Sequence, residues 1–313
     1  MDNAPTPTLP GFLRPEARTS RAHHQHQAFE GIESQEADRL ELAYGRDETL
    51  FSFREATLPH TVKLNRYSNV LPYHHSRVMV NGPMPFMNAN RITAPPALRT
   101  SLPADFAGYI ATQAPLPETQ SNFWRMVLDQ NVHVIVCLTS VSTDRTRRGH
   151  KAEQYWPNAG QTDQFGPDLW VRNLDSTDSN NEVVYRNLEL WDPSSDANTR
   201  RPILLAHYQG WPDHGVPRSS NSLRDIMYTI RSWKRNQQAH IRYPHFASHP
   251  LRDASLQEQA LNLMVQAEDA YNWNQERDLV FEILNAFRTE RMLMVQTTGQ
   301  YQFCYAVVKD LCQ

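Results

Sequence analysis

The segment Gly210-Trp211-Pro212-Asp213-His214-Gly215-Val216-Pro217 sets two prolines and two glycines around a single acid. Proline fixes φ and glycine frees it, so this is a shaped loop rather than the end of a strand. It displays Asp213 where a loop could carry a proton to or from a substrate. The plainer role for an isolated loop aspartate is to cap a nearby backbone N–H. Cys137, Cys304 and Cys312 show neither a disulfide framework nor zinc-ligand spacing. His23, His24 and His26 are crowded together but lack Cys or carboxylate partners at fixed spacing, and are read as a solvated run. No glycine falls between Val216 and Thr298, which argues against a glycine-built phosphate cradle there. No cofactor and no metal are expected.

The elements that position these residues must come from a chain of 313 residues carrying 31 Lys+Arg and 34 Asp+Glu, a formal net charge of -3. That balance excludes nucleic acid or an anionic membrane as the main partner. With 40% hydrophobic and 10% aromatic residues the chain can bury a large core. No apolar run approaches the roughly 20 residues of a membrane helix, and the first residues lack the order of a secretory leader. A cytoplasmic protein is the expectation, and nothing in the sequence speaks to oligomeric state.

Residues 1–26, with Pro5, Pro7, Pro10 and Pro15 and no apolar period, read as a disordered tail, and 27–313 as one domain. A helix is expected near Pro117, with Phe123, Trp124, Val127 and Leu128 on one face, then a strand covered on both faces over Val132–Leu138. Further strands are expected at 168–173, 183–190 and 203–208, with Asp175 to Glu182 as a polar loop. The last third reads as helical. The faces are Leu223, Ile226, Met227, Ile230 and Trp233, with a cap at Ser222, then Ala260, Met264, Ala267 and Tyr271, then Val280, Ile283, Leu284 and Phe287. Thr297 with Gln300 reads as a capping box opening a final helix faced by Tyr301, Cys304, Val308 and Leu311. The fold class is a single α/β domain, a central twisted mixed sheet flanked by helices, with a helical C-terminal half.

Several blocks resemble, in order, the tyrosine-specific protein phosphatase family. Asn65-Arg66-Tyr67-Ser68-Asn69-Val70-Leu71-Pro72-Tyr73-His74-His75-Ser76-Arg77-Val78 is similar to its phosphotyrosine-recognition segment, and Met87-Asn88-Ala89-Asn90-Arg91-Ile92 to the block after it. Tyr109-Ile110-Ala111-Thr112-Gln113-Ala114-Pro115 leads into Phe123-Trp124-Arg125, and Lys151-Ala152-Glu153-Gln154-Tyr155-Trp156-Pro157 follows. Trp211-Pro212-Asp213 resembles the mobile acid loop, and Met294-Val295-Gln296-Thr297 with Gln300-Tyr301 completes the set. The resemblance implies that Tyr67 stacks on the phosphotyrosine ring, Asn69 holds the substrate main chain and Lys151 supports the acid loop. It makes Asp213 the leaving-group acid, Gln296 the residue that positions water and Gln300 a second water or substrate contact.

The family's chemistry also needs a cysteine thiolate to attack phosphorus and an arginine to clamp its oxygens. Their place lies between Asp213 and Gln296, where this chain reads Arg242-Tyr243-Pro244-His245-Phe246-Ala247-Ser248-His249-Pro250-Leu251-Arg252-Asp253-Ala254-Ser255. No cysteine occurs between Cys137 and Cys304. The nucleophile's place falls near His249 and the arginine's near Ser255. Ser255-Leu256-Gln257-Glu258 is a capping box that would open a helix, with its acids opposing phosphate there. His249 lacks a shell of donors, and Arg252 after Pro250 and Leu251 reads as a surface residue. The expectation is a pseudophosphatase that binds a phosphotyrosyl protein or another protein partner. The alternative is an active phosphatase whose middle segment is wrongly given, since similarity stops near Gln238 and resumes near Asp278. Hydrolysis through His249 or a metal is a weaker third idea.

Overall fold

The computed structural model describes residues 11–13, 18–45, 49–82, 85–95, 108–141, 152–179, 182–194, 200–212, 215–238 and 277–311. A five-stranded mixed sheet lies at the centre. It comprises β3 (Val134–Cys137), β4 (Thr162–Phe165), β5 (Leu169–Asp178), β6 (Val183–Trp191) and β7 (Arg201–Tyr208) in the order β3-β7-β6-β5-β4. β3 runs parallel to β7, with Cys137 opposite His207, and the remaining pairs are antiparallel.

Alternation along the strands sorts side chains onto two faces. Ile135, Cys137, Val171, Leu188 and Leu205 point to one, where Phe123, Trp124 and Val127 of α3 (Gln120–Asp129) cover them together with Tyr155 and Trp156. Trp124 is fully buried and its indole N–H donates to the Tyr155 carbonyl at 2.8 Å, so the largest core side chain has its one polar atom satisfied. Val183, Ala206 and Tyr208 point the other way, against Ile226 of α4 (Asn221–Gln238). The strand expected over Val132–Leu138 forms as β3, but Val136 and Leu138 are exposed, so among the described residues one of its faces is covered and not both. The readings at 120–129 and 183–233 match the structure, as does the helical character of the described C-terminal residues. Those residues form α4, α5 (Leu279–Glu290) and α6 (Thr298–Leu311).

Three local readings change. β5 runs on to Asp178 past an irregularity between Asn173 and Asp175, so 175–178 is strand rather than loop. Its polar outward residues hid that extension, since pairing with Val184 to Asn187 needs only backbone. α4 starts two residues earlier than expected: Ser220 precedes it, its carbonyl accepts from Arg224 N–H, and Ser222 is buried in the first turn. Helix α1 (Arg18–Gly45) begins within the span read as a tail, so 18–26 are helical. Its inward positions Phe29 and Ile32 are followed by Glu36 and Arg39, both buried, and charged residues on the buried stripe erase the apolar period. Through that stripe α1 packs Phe29 and Ile32 against Val280, Leu284, Tyr301 and Tyr305 of α5 and α6.

A separate antiparallel pair, β1 (Ala89–Ile92) and β2 (Tyr109–Thr112), lies next to the recognition segment. Gly108 enters β2 at φ +87°, and a Cβ there would sit 2.4 Å from the Ile92 carbonyl oxygen, so only glycine allows this pairing. Between this pair and α1 lies a second core of Phe51, Phe53, Leu64, Leu71, Tyr73 and Phe86, joined by Ala56 of the one-turn helix α2 (Arg54–Thr57).

His75 borders that core, its Nδ1 2.7 Å from the Leu50 carbonyl and its ring stacked on Tyr73 at 6.0 Å between centroids. Burial lowers its pKa from 6.5 to about 4. A folded pKa below the unfolded one means that the neutral ring's contribution is present above pH 6.5 and is lost as pH falls towards 4. Urea titrations should show up to about 3 kcal/mol of stability lost over that window from this group. The profile of His75→Gln should be flatter, and an equally steep one would assign the acid sensitivity elsewhere.

Candidate active site

Asn65 opens the recognition segment and anchors it in two directions: its amide nitrogen donates to the Ala56 carbonyl at 2.8 Å, and its Oδ1 accepts from Asn88 Nδ2 at 2.9 Å. Asn88 also donates to the Val70 carbonyl at 2.7 Å, so one buried amide holds both ends of the 65–70 loop. Gln113 clamps the middle, donating to the Leu64 carbonyl at 2.8 Å and accepting from the Arg66 N–H at 2.7 Å. Arg66 bonds the Ala114 and Pro115 carbonyls, both at 2.9 Å, and pairs with Glu153 at 2.7 Å. Between these anchors Tyr67 stands 44% exposed and Asn69 is exposed too. A rigid loop presenting a free aromatic ring suits stacking on a ligand ring.

The segment carrying Gln296 is tied to the same amides. Arg291 is buried and donates to Asn90 Oδ1 at 2.6 Å and Asn88 Oδ1 at 2.9 Å. Burial lowers its pKa to about 10, which leaves it charged at neutral pH. Leu71 N–H lies 3.2 Å from the Met292 sulfur, a second link between the two segments. Leu293 and Val295 then take φ of 58° and 60°, the left-handed region that β-branched residues avoid. Gln296 emerges exposed, its N–H held by Gln300 Oε1 at 2.7 Å. Gln300 N–H donates to Thr297 Oγ1 at 3.2 Å. Half of the expected capping box is thus present; the other half is displaced by one residue onto Gln296, which occupies the carbonyl oxygen of Gln300.

The root of the loop expected to carry the acid is fixed by Trp211, which packs edge-on between Tyr208 of β7 and Phe303 of α6, with centroids 6.3 and 6.2 Å away. Asp213 itself lies outside the described residues, as do Lys151, His249, Arg252, Ser255 and the helix expected from Ala260. Their flanks are informative. Glu153, two residues beyond Lys151, bonds Arg66 beside Tyr67, and Phe303 sits on the helix that Gln296 and Gln300 open. The structure therefore gathers the anchors of four separate blocks around one region.

Neither described cysteine has the setting of a nucleophile. Cys137 is buried in β3 with its Sγ 3.5 Å from the Thr139 carbonyl, and Cys304 lies in α6 with its Sγ 3.3 Å from the Gln300 carbonyl. Burial pushes both thiols up, the reverse of what thiolate chemistry requires.

Residue type concealed the main supporting groups: Glu36, Arg288 and Arg291 are charged, and charged residues are usually exposed. Asn88 and Asn90 gave a usable signal, two amides interleaved with Met87 and Ala89 at the entry to β1. The side chains of an inward-facing strand need internal partners.

A family model described as protein-tyrosine phosphatase matches residues 61–310, and the chain belongs to that family. Human tyrosine-protein phosphatase non-receptor type 4 is 29% identical over 258 residues, covering 81% of this chain and 26% of that protein. Tyrosine-protein phosphatase 3 of Dictyostelium discoideum is 28% identical over 304 residues, covering 94% of this chain and 28% of its own length. The chain thus spans about a quarter of the length of these relatives. The crystal structure of the catalytic domain of human protein tyrosine phosphatase non-receptor type 18 superposes with a TM-score of 0.65 at 25% identity, covering 94% of this chain and 98% of that one. That likeness bears out the single α/β domain with a mixed sheet flanked by helices.

Gln113→Leu removes both clamps on the recognition loop while nearly keeping volume, so it should cost about 1–3 kcal/mol for the two backbone groups left unpaired. Amide exchange at Arg66 and Tyr67 should rise well before that at Val171 in the central sheet. Equal increases at both places would mean that Gln113 supports the domain and not the loop in particular.

Proposed function

We propose that this chain is a pseudophosphatase: a protein-tyrosine-phosphatase fold that engages a phosphotyrosyl protein or another protein partner and hydrolyses little or no ester. The observation that carries this reading is the absence of any cysteine between Cys137 and Cys304, together with the burial of those two thiols away from thiolate character. Loss of a nucleophile costs on the order of a million-fold in rate in a well-studied protease. With His249 and Ser255 where the nucleophile and arginine belong, phosphate meets neither a thiolate nor a guanidinium clamp.

What supports retained binding is the anchored recognition loop. Tyr67 would stack on a phenyl ring and Asn69 would hold the ligand main chain. Lys151 would support the acid loop carrying Asp213, and Gln296 and Gln300 would line the water side. Affinity for phosphotyrosine is expected to be weak, because recognition rests on ring stacking and main-chain contacts. A cytoplasmic setting agrees with the non-receptor relative, and no described helix is long and apolar enough to cross a membrane.

The test is turnover and binding of a phosphotyrosyl peptide by the full 313-residue protein beside an Asp213→Ala variant. No hydrolysis with measurable peptide binding is the expected result. Hydrolysis above background that falls in the variant would overturn the reading and favour the alternative, an active phosphatase. Sequencing the transcript across codons 235–280 checks that alternative directly, because a His-Cys-x5-Arg block there would restore the enzyme. Absence of both hydrolysis and binding would move the search to protein partners of other surfaces.

A further inference from the structure

Two of the three residues that deliver Gln296, Leu293 and Val295, hold the left-handed conformation that their own side chains oppose. Such strain persists only where the surroundings impose it. Here the surroundings are one carboxylate and one guanidinium. Glu36 Oε1 accepts from the Leu293 N–H at 2.9 Å, and Oε2 accepts from Arg288 at 2.8 Å. Arg288 Nε donates to the Met294 carbonyl at 2.8 Å, and its second terminal nitrogen donates to the Val295 carbonyl. Every residue of the strained run is thus held by a backbone group. Both clamping side chains are enclosed, with Glu36 4% and Arg288 1% exposed. Water cannot substitute for either partner at that depth. Arg288 also stacks on Phe29 of α1 at 5.2 Å, which fixes its plane.

Glu36 lies on α1, whereas the family match begins at residue 61. We propose that Glu36 is a positioning residue for the 293–296 segment, which makes α1 a working part of the site. Glu36 supplies the counter-charge of Arg288 and orients it, and the two together hold the turn that presents Gln296. The consequence for ligand binding rests on the phosphotyrosine-binding reading above; the consequence for order in the segment does not.

The experiment compares the full-length protein with Glu36→Gln, Arg288→Lys and the exposed-site control Glu41→Gln, using residue-resolved amide exchange and the side-chain amide resonance of Gln296. Glu36→Gln keeps an acceptor for Leu293 but leaves Arg288 without its counter-charge. It should raise exchange at Leu293 to Gln296 by about tenfold or more, while Val171 and Leu188 in the central sheet hold still. Arg288→Lys keeps a charge for Glu36 but cannot bridge both carbonyls, so it should shift or broaden the Gln296 resonance with Leu293 still protected. If Glu36→Gln does not fold, Arg288→Lys decides the matter. Unchanged exchange, or a rise shared evenly with the central sheet, would overturn the positioning role. A phosphotyrosyl peptide titrated into the same samples separates the two readings. Weakened binding alongside the loosened segment supports both, whereas a loosened segment with binding unaltered retains the positioning role and removes Gln296 from ligand recognition.

Discussion

A guanidinium buried without a carboxylate among the described residues organises this molecule. Arg291 carries its charge into the interior and satisfies it with the Asn88 and Asn90 side-chain carbonyls, themselves fully buried. A buried cation met by neutral dipoles tolerates little displacement, because any lost bond exposes charge to a low-dielectric interior. Both asparagines spend their other ends on the recognition segment, Asn88 on Asn65 and Val70, Asn90 on Tyr73 and Ser76. Segments 65–76, 88–90 and 291 are therefore one polar unit, and the loops that leave it inherit its rigidity.

Around that unit, further ties use chemistry of the same kind: long cationic or amide side chains reaching backbone carbonyls. Arg66 takes two carbonyls and Glu153, Gln113 takes a carbonyl and an N–H, and Arg288 takes two carbonyls and Glu36. Loops cannot satisfy their own backbone as strands do, so a loop-built site needs side chains that reach it. The mixed sheet supplies a platform for this arrangement more than it supplies functional groups. Its contribution is the exit of β7 into Trp211, while α3, packed on its face, sets Trp124 against the 153–156 segment.

The apolar periods around 123–138, 183–208, 223–233 and 280–287 were legible because burial of one face leaves a repeat in residue type. The recognition loop was legible in a different way, through its resemblance to the family rather than through any period. α1 was not legible beyond residue 27 as a packed element, since its inward stripe carries Glu36 and Arg39. The supporting arginines were hidden for the same reason: a buried charge is defined by distant partners, and Glu36 and Arg288 are far apart in the chain. The left-handed backbone at Leu293 and Val295 could not be read either, because neither residue type favours it and tertiary ties impose it.

These ties bear on how a member of this family can lose its chemistry and keep its shape. None of the bonds linking Arg291, Asn88, Asn65, Gln113 and Arg66 passes through residues 239–276, the segment without a cysteine. Among the described residues, Tyr67 is held by these bonds, and Gln296 by those of Glu36 and Arg288. The side chains that tie the 65–70 loop and the side chains of the segment 239–276 are thus different sets in the sequence. A polar unit closed by Arg291, Asn88, Asn90 and Asn65 needs no charge from another loop to balance it, since neutral side-chain carbonyls meet the guanidinium, and that is why the exposed ring of Tyr67 can be held by hydrogen bonds alone.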